Sequence, residues 1–162
     1  MTSNVSKIPA GYHTATPYLV VSDAARAIDF YRQAFGATEL VRMPGPQGKI
    51  AHAEIKIGDS LIMLSDEIMG NRSPQALGGS PVSIFLYVED VDSVFNQALK
   101  AGAKSDMNPT DMFWGDRFGK LTDPFGHQWA VATHVEDVSP EEMQKRQQTA
   151  MAQMAQAATP GA

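Results

Sequence analysis

The chain carries one structural plan twice. PYLVVSDAARAIDFYRQAFGATEL (Pro17 to Leu40) and SIFLYVEDVDSVFNQALKAGAKSDM (Ser83 to Met107) each run from a β-branched and aromatic strand, through an acidic residue, into a helix ending in Gly-Ala. The copies start about 66 residues apart, with Asp23 matching Asp90 and Gly36-Ala37 matching Gly102-Ala103. Each helix is followed by strand-like runs broken by turns, EIKIGDSLIMLSDE in the first half and KLTDPFGHQWAVATH in the second. Each half therefore reads as strand, helix and about three antiparallel strands. One such half has a single helix to cover one apolar sheet face and leaves the other face open. Two side by side predict an α+β fold: tandem βαβββ modules in a curved, cup-like mixed sheet, helices outside and a hollow within.

Both helices have readable ends and faces. Asp23 is a favourable N-cap, and Ile28, Tyr31 and Phe35 fall on one side. Asp90 caps the second, whose stripe is Val94, Phe95, Ala98 and Leu99, and Gly36 and Gly102 end the two helices as left-handed residues.

The segment DPFGHQWAVATH raises the question of a metal, because His127 and His134 bracket an apolar run. Asp123-Pro124-Phe125-Gly126 has the chemistry of a type I turn, after which a strand opens. Alternation puts His127, Trp129, Val131 and Thr133 on one face and Gln128, Ala130, Ala132 and His134 on the other, so the two histidines cannot share an ion in a regular strand. The bulky face suits packing on a helix, and the small, polar face suits a cavity wall.

Composition narrows the function classes. The 162 residues fit one globular domain or two fused modules, and 43% hydrophobic content supplies a core. With no cysteine, disulfides, thiolate metal sites and a cysteine nucleophile are excluded. A net charge of −5 with scattered basic residues lacks the footprint of a nucleic-acid binder. No secretory h-region and no run of about 18 apolar residues is present, so a cytoplasmic protein without membrane contact is expected. Walker, dinucleotide, nucleophile-elbow and HExxH motifs are missing, and MPGPQGK (Met43 to Lys49) reads as a hairpin or pocket flap rather than a phosphate loop.

The repeated module, with VSD, FY and FG in the first half, VEDV and KAGA in the second and the closing DPFGHQW, resembles the vicinal oxygen chelate superfamily of glyoxalase I, the bleomycin and fosfomycin resistance proteins and the extradiol dioxygenases. The run FWGDRFGKLTDPFGHQWAVATHVEDVSPEE is similar to its PhnB-like branch, and the likeness extends from about Ala10 to Glu142. It implies the fold and a homodimer, but not one activity, because that superfamily hosts isomerases, transferases, dioxygenases and metal-free binders. Its metal sites draw one inward residue from each of four strands, positions that fall here at Thr16, Met63, Ser83 and Ala130. None is a credible ligand, and the neighbours Ala15, Pro17, Ile62, Leu64, Ile84, Trp129 and Val131 do not help. The expectation is thus no cofactor at the usual metal site and no glyoxalase I chemistry, a divalent metal being the alternative.

Polar candidates remain. His52 and Glu54 alternate with Ala53, Ile55 and Ile57, which suits either an acid–base or metal pair or simply a wet sheet face. His134 could reach across to His52 and rebuild a metal site, or stand at a strand end near solvent. Ser83, Phe85 and Tyr87 point to the hollow if Ile84 and Leu86 pack on the helix, with Met63 lining the other half. Trp114 with Gly115 could place an aromatic wall beside a ligand, and Arg117 could grip a carboxylate or phosphonate or only pair with Asp116. The expected function is a small-molecule binding protein lacking the family metal, with Thr16, Met63, Ser83, Phe85, Tyr87, Trp114, Arg117, Gln128 and Ala130 around the ligand. The alternative is a metal-dependent lyase, isomerase or dioxygenase built on His52, Glu54 and His134. Residues 1–9 are expected to be flexible, 10–137 to form the domain (modules at about 10–70 and 80–137), 138–158 to form a helix from the capping box Ser139-Pro140-Glu141-Glu142, and 159–162 to be a loose tail.

Overall fold

A computed structural model describes residues 5–157. The expected loose tail at 159–162 and the first four residues of the expected flexible N-terminus lie outside them. The first repeat gives β1 (Tyr18–Val21), α1 (Ala24–Phe35), β2 (Thr38–Pro44), β3 (Ile50–Ile57) and β4 (Ser60–Asp66). A one-turn α2 (Pro74–Leu77) leads to the second repeat: β5 (Ser83–Tyr87), α3 (Val91–Ala101), β6 (Lys104–Asp111), β7 (Asp116–Thr122) and β8 (Gln128–His134). A last helix, α4 (Pro140–Ala157), follows.

Each repeat makes its own four-stranded sheet, in the orders β1-β4-β3-β2 and β5-β8-β7-β6. The last strand of each module returns parallel to its first, while the other pairs are antiparallel. Both helices begin as their sequences dictate: Arg26 N–H donates to Asp23 Oδ1 and Ser93 N–H to Asp90 Oδ1, each at 3.0 Å. Both stop at glycines with positive φ, 66° at Gly36 and 116° at Gly102.

The doubled α+β unit matches the sequence reading, but the hollow does not close, because the halves form two open sheets rather than one curved one. The apolar side chains explain the arrangement. A single buried cluster takes Val21, Ile55 and Leu64 from the first sheet, Ile28 and Tyr31 from α1, Phe95 from α3, and Trp129 and Val131 from the second sheet. Neither helix could cover so wide a surface alone, so α1 and α3 pack on each other and lie on the side that both sheets share. The Trp129 ring sits 4.7 Å from Phe35 and 5.3 Å from Tyr31, bringing β8 of one module onto α1 of the other. Close approach in the second module needs Gly119: a Cβ there would lie 2.9 Å from the Phe95 ring.

Two buried aspartates hold this packing in register. Asp66 accepts from Ala24 N at 2.8 Å and Ile50 N at 2.6 Å, tying the start of α1 to the start of β3. Asp123 opens the β7–β8 turn, where Gly126 N–H donates to its carbonyl at 3.1 Å. Its carboxylate accepts from Phe125 N, His127 N and Trp129 Nε1, each at 2.9 Å, and from Tyr31 Oη at 2.8 Å. Burial, and then the Asp123 charge, push the Tyr31 phenol well above its ordinary pKa, so it stays a donor.

The final helix is tied down near its start. Glu142 N–H donates to Ser139 Oγ at 3.3 Å, and Arg146 grips both Glu136 oxygens at 2.8 Å and Glu142 at 2.9 Å. Beyond this, Met151 and Met154 are exposed.

Asp123→Ala should remove about 3 kcal/mol or more of stability in urea denaturation, because it strands the buried donors of Tyr31 and Trp129 together. By contrast Ser65 Oγ is buried with no hydrogen-bond partner among the described residues. Ser65→Ala should therefore be neutral or slightly stabilising in the same assay.

Candidate functional site

The open face of the second sheet follows from the alternation in β8. Trp129 and Val131 are wholly buried toward the helices, so Ala130 and Ala132 face the other way and form a low floor with Phe118 of β7. Register sets Phe85 of β5 opposite Ala130, and sets both Tyr87 and Phe118 beside Ala132. The small floor lets the rings above it meet. Phe85 stacks on Phe118 with centroids 5.6 Å apart, Tyr87 lies 4.9 Å from Phe85, and Trp114 meets Phe118 edge-on at 5.8 Å. The Lys120 ammonium stands 5.8 Å from the Phe118 centroid. Phe85 is 46% and Tyr87 66% exposed, so this is an aromatic surface and not a closed core. At one edge Phe85, Tyr87 and His134 enter a groove of about 1060 Å³ that reaches Phe35 and the Gly58–Ser60 turn.

One carboxylate orders the polar end of this face. Asp116, 3% exposed, accepts from Tyr87 Oη at 2.9 Å, Trp114 Nε1 at 3.0 Å and His134 Nδ1 at 2.8 Å. Burial alone would raise its pKa, but the three hydrogen bonds, that from His134 foremost, bring it below the ordinary carboxylate value. The Tyr87 phenol is raised by its bond to Asp116. His134 is raised by Asp116 and then by Asp137, which faces its Nε2 at 3.0 Å. Gly115 fixes the loop: its φ is 98°, its carbonyl accepts from Val135 N at 2.9 Å and Glu136 N at 3.0 Å, and a Cβ would overlap the Glu136 carbonyl oxygen.

The sequence-derived pocket residues divide. Ser83, Phe85, Tyr87, Gln128 and Ala130 share the second sheet's open face by register, with Trp114 at its rim. Arg117 alternates away from it, donating to both oxygens of Asp92 in α3 at 2.7 and 2.9 Å and to Asp111 at 3.0 Å, so its partner is not Asp116. These carboxylates already fill the guanidinium fork. Met63 belongs to the first sheet's open face, and Thr16 shares with Phe85 the lining of a narrow space of about 140 Å³. Asp116, Phe118 and Lys120 were not in the predicted set, whereas Ala132 was read on the cavity face of β8. The alternation through Arg117 was the available signal, since it places Asp116, Phe118 and Lys120 together on the side opposite Arg117.

The first sheet carries the other polar candidates. His52 Nε2 is 3.2 Å from Glu54 Oε1, and the Tyr18 ring lies 5.8 Å from His52. Residues 7–14 cross this face, so part of the stretch expected to be flexible helps enclose a space of about 670 Å³ over Glu54 and Met63. The Glu54 carboxyl is lowered first by a hydrogen bond from Tyr12 and then by His52. His134 does not join this pair: it ends β8 in the other sheet, with its ring nitrogens turned to Asp116 and Asp137. Among the described residues no group of three His, Cys, Asp or Glu side chains could hold a metal ion.

A family model described as the Glyoxalase/Bleomycin resistance protein/Dioxygenase superfamily matches residues 12–131. The chain belongs to this superfamily. The Mycobacterium bovis protein Mb0911c is 48% identical over 134 residues, which cover 80% of this chain and 88% of that one. Among solved structures, TioX from Micromonospora sp. ML1 superposes with a TM-score of 0.61 at 28% identity, covering 75% of this chain and 99% of its own. A PhnB protein from Bacillus cereus shares the fold at a TM-score of 0.60 and 19% identity, covering 75% of this chain and 99% of that one. The superfamily's tandem modules are thus the two sheets described above.

Asp116 and His134 make opposite contributions to stability against pH. The lowered Asp116 stabilises above its unfolded pKa, a contribution lost as pH falls through the folded value. The raised His134 stabilises below its unfolded pKa, and that contribution is lost as pH rises through the folded value. Thermal melts should show a decline as pH rises above the ordinary histidine range, which His134→Gln flattens. Asp116→Ala should cost about 2 kcal/mol or more at neutral pH, with a change in Trp114 emission.

Proposed function

We propose that this superfamily member is a small-molecule binding protein that holds a planar, largely apolar ligand against Phe85, Tyr87, Trp114 and Phe118 without the family metal. The observation that carries this reading is the open aromatic surface over the Ala130–Ala132 floor, whose rim is fixed by Asp116. Aromatic walls with a few set polar groups are the common makeup of ligand sites. The residues at the family metal positions, Thr16, Met63, Ser83 and Ala130, offer two hydroxyls, a thioether and a methyl. That donor set does not fit a divalent ion, which is held by imidazole and carboxylate. A relocated site would need His52, Glu54 and His134 to converge, and no observation favours that arrangement.

The same reading includes a homodimer in the cytoplasm. The pairing rests on the superfamily resemblance, and no described helix is long and apolar enough to cross a membrane. Sedimentation that finds only monomer at micromolar concentration would remove the dimer from it.

Ligand binding has a built-in reporter, because Trp129 is wholly buried and Trp114 stands at the rim. A neutral planar probe such as naphthalene carboxamide should quench tryptophan emission saturably. Trp114→Phe should abolish the response, and Phe85→Ala should weaken binding by about five- to tenfold. Manganese, nickel or zinc should leave the melting temperature unchanged; a stoichiometric ion and a saturable rise would overturn the metal-free part.

A further inference from the structure

We infer that the ligand of this site carries a single acidic group, and that the chain's own Asp137 holds that group's place on His134. The inference rests on the aromatic surface being the ligand face, and it names what lies at the polar end. His134 is fixed from behind: Nδ1 faces the buried Asp116 at 2.8 Å, and Asp116 is itself held by Tyr87 and Trp114. The ring therefore cannot turn without losing its contact to the carboxylate that also holds the aromatic rim. Its other nitrogen, Nε2, points to Asp137 at 3.0 Å, a carboxylate whose side chain is fully exposed. Asp137 follows the last strand by three residues and bonds nothing else among the described residues, so it can swing into water.

A carboxylate arriving from the ligand would take the same Nε2–H. The exchange leaves the charge beside the ring unchanged, one carboxylate replacing another, so it avoids the cost of adding an anion next to Asp116. Phe85 and Tyr87 line the same groove as His134, which puts a planar body and its acidic group within one continuous site. The remaining charged groups of that groove are Asp59 in the β3–β4 turn and Glu89 and Asp90 before α3. All three are carboxylates and oppose a second negative charge, which sets the class as a planar aromatic monoacid. His134 must be protonated to donate from Nε2 while Nδ1 donates to Asp116, so binding of the acid weakens as pH rises.

The test compares naphthalene carboxylate with its neutral carboxamide on the intact protein, read by Trp114 quenching. At about pH 6, where the acid is ionised, the carboxylate should bind about tenfold more tightly. That preference should vanish at about pH 9.5 and in His134→Gln. Asp137→Asn, which removes the internal competitor from an exposed position, should strengthen the carboxylate at about pH 6. Equal binding of the two probes overturns this inference and leaves the aromatic ligand face standing. A preference that survives His134→Gln also overturns it, and binding of neither probe overturns both readings.

Discussion

The carboxylate of Asp123 ties the two halves of the chain to each other. It takes a hydrogen bond from Tyr31 of the first module and another from Trp129 of the second, while two backbone amides hold it in place. The rings that carry those donors are also the ones packed across the module boundary, with Tyr31 and Trp129 centroids 5.3 Å apart. A polar contact thus fixes the register of an apolar interface that area alone would leave free to slide. The second sheet's open face is a consequence, since both helices are committed to the shared side and Phe85 and Tyr87 stay exposed.

The second module repeats that device in mirror fashion. Asp116 begins β7 and Asp123 directly follows its end, and each gathers a tyrosine hydroxyl and a tryptophan N–H. One works on the core side, where its partners are buried. The other works on the open side, where its tyrosine is solvent-facing and a histidine is added. The same chemistry therefore gives a structural clamp at one end of a strand and a polarised, ligand-facing edge at the other.

What could be read in the sequence was periodic or local. The repeat, the caps at Asp23 and Asp90, the turn at Asp123 and the two faces of β8 all follow from spacing, because each depends on residues a few positions apart. The Arg117 partners did not: Asp92 lies 25 residues away on a different element, and only the packed helix brings it close. The Asp116–His134 contact crosses a hairpin and depends on side-chain rotamers that alternation does not specify. That helices would cover one side of both sheets was read from the doubled module, but the packing of Trp129 onto the other module's Phe35 and Tyr31 was not, since an amphipathic stripe says that a face is buried and not against which module.

The Trp114 loop is tied by the Gly115 carbonyl to the amides of Val135 and Glu136, and Arg146 clamps Glu136 to α4. Those 18 helical residues span about 27 Å. Mechanically this is a lever with its fulcrum at Arg146: a small tilt imposed at the far end is transmitted through a few hydrogen bonds to the indole at the rim. The emission colour of Trp114 would then register the angle of that helix.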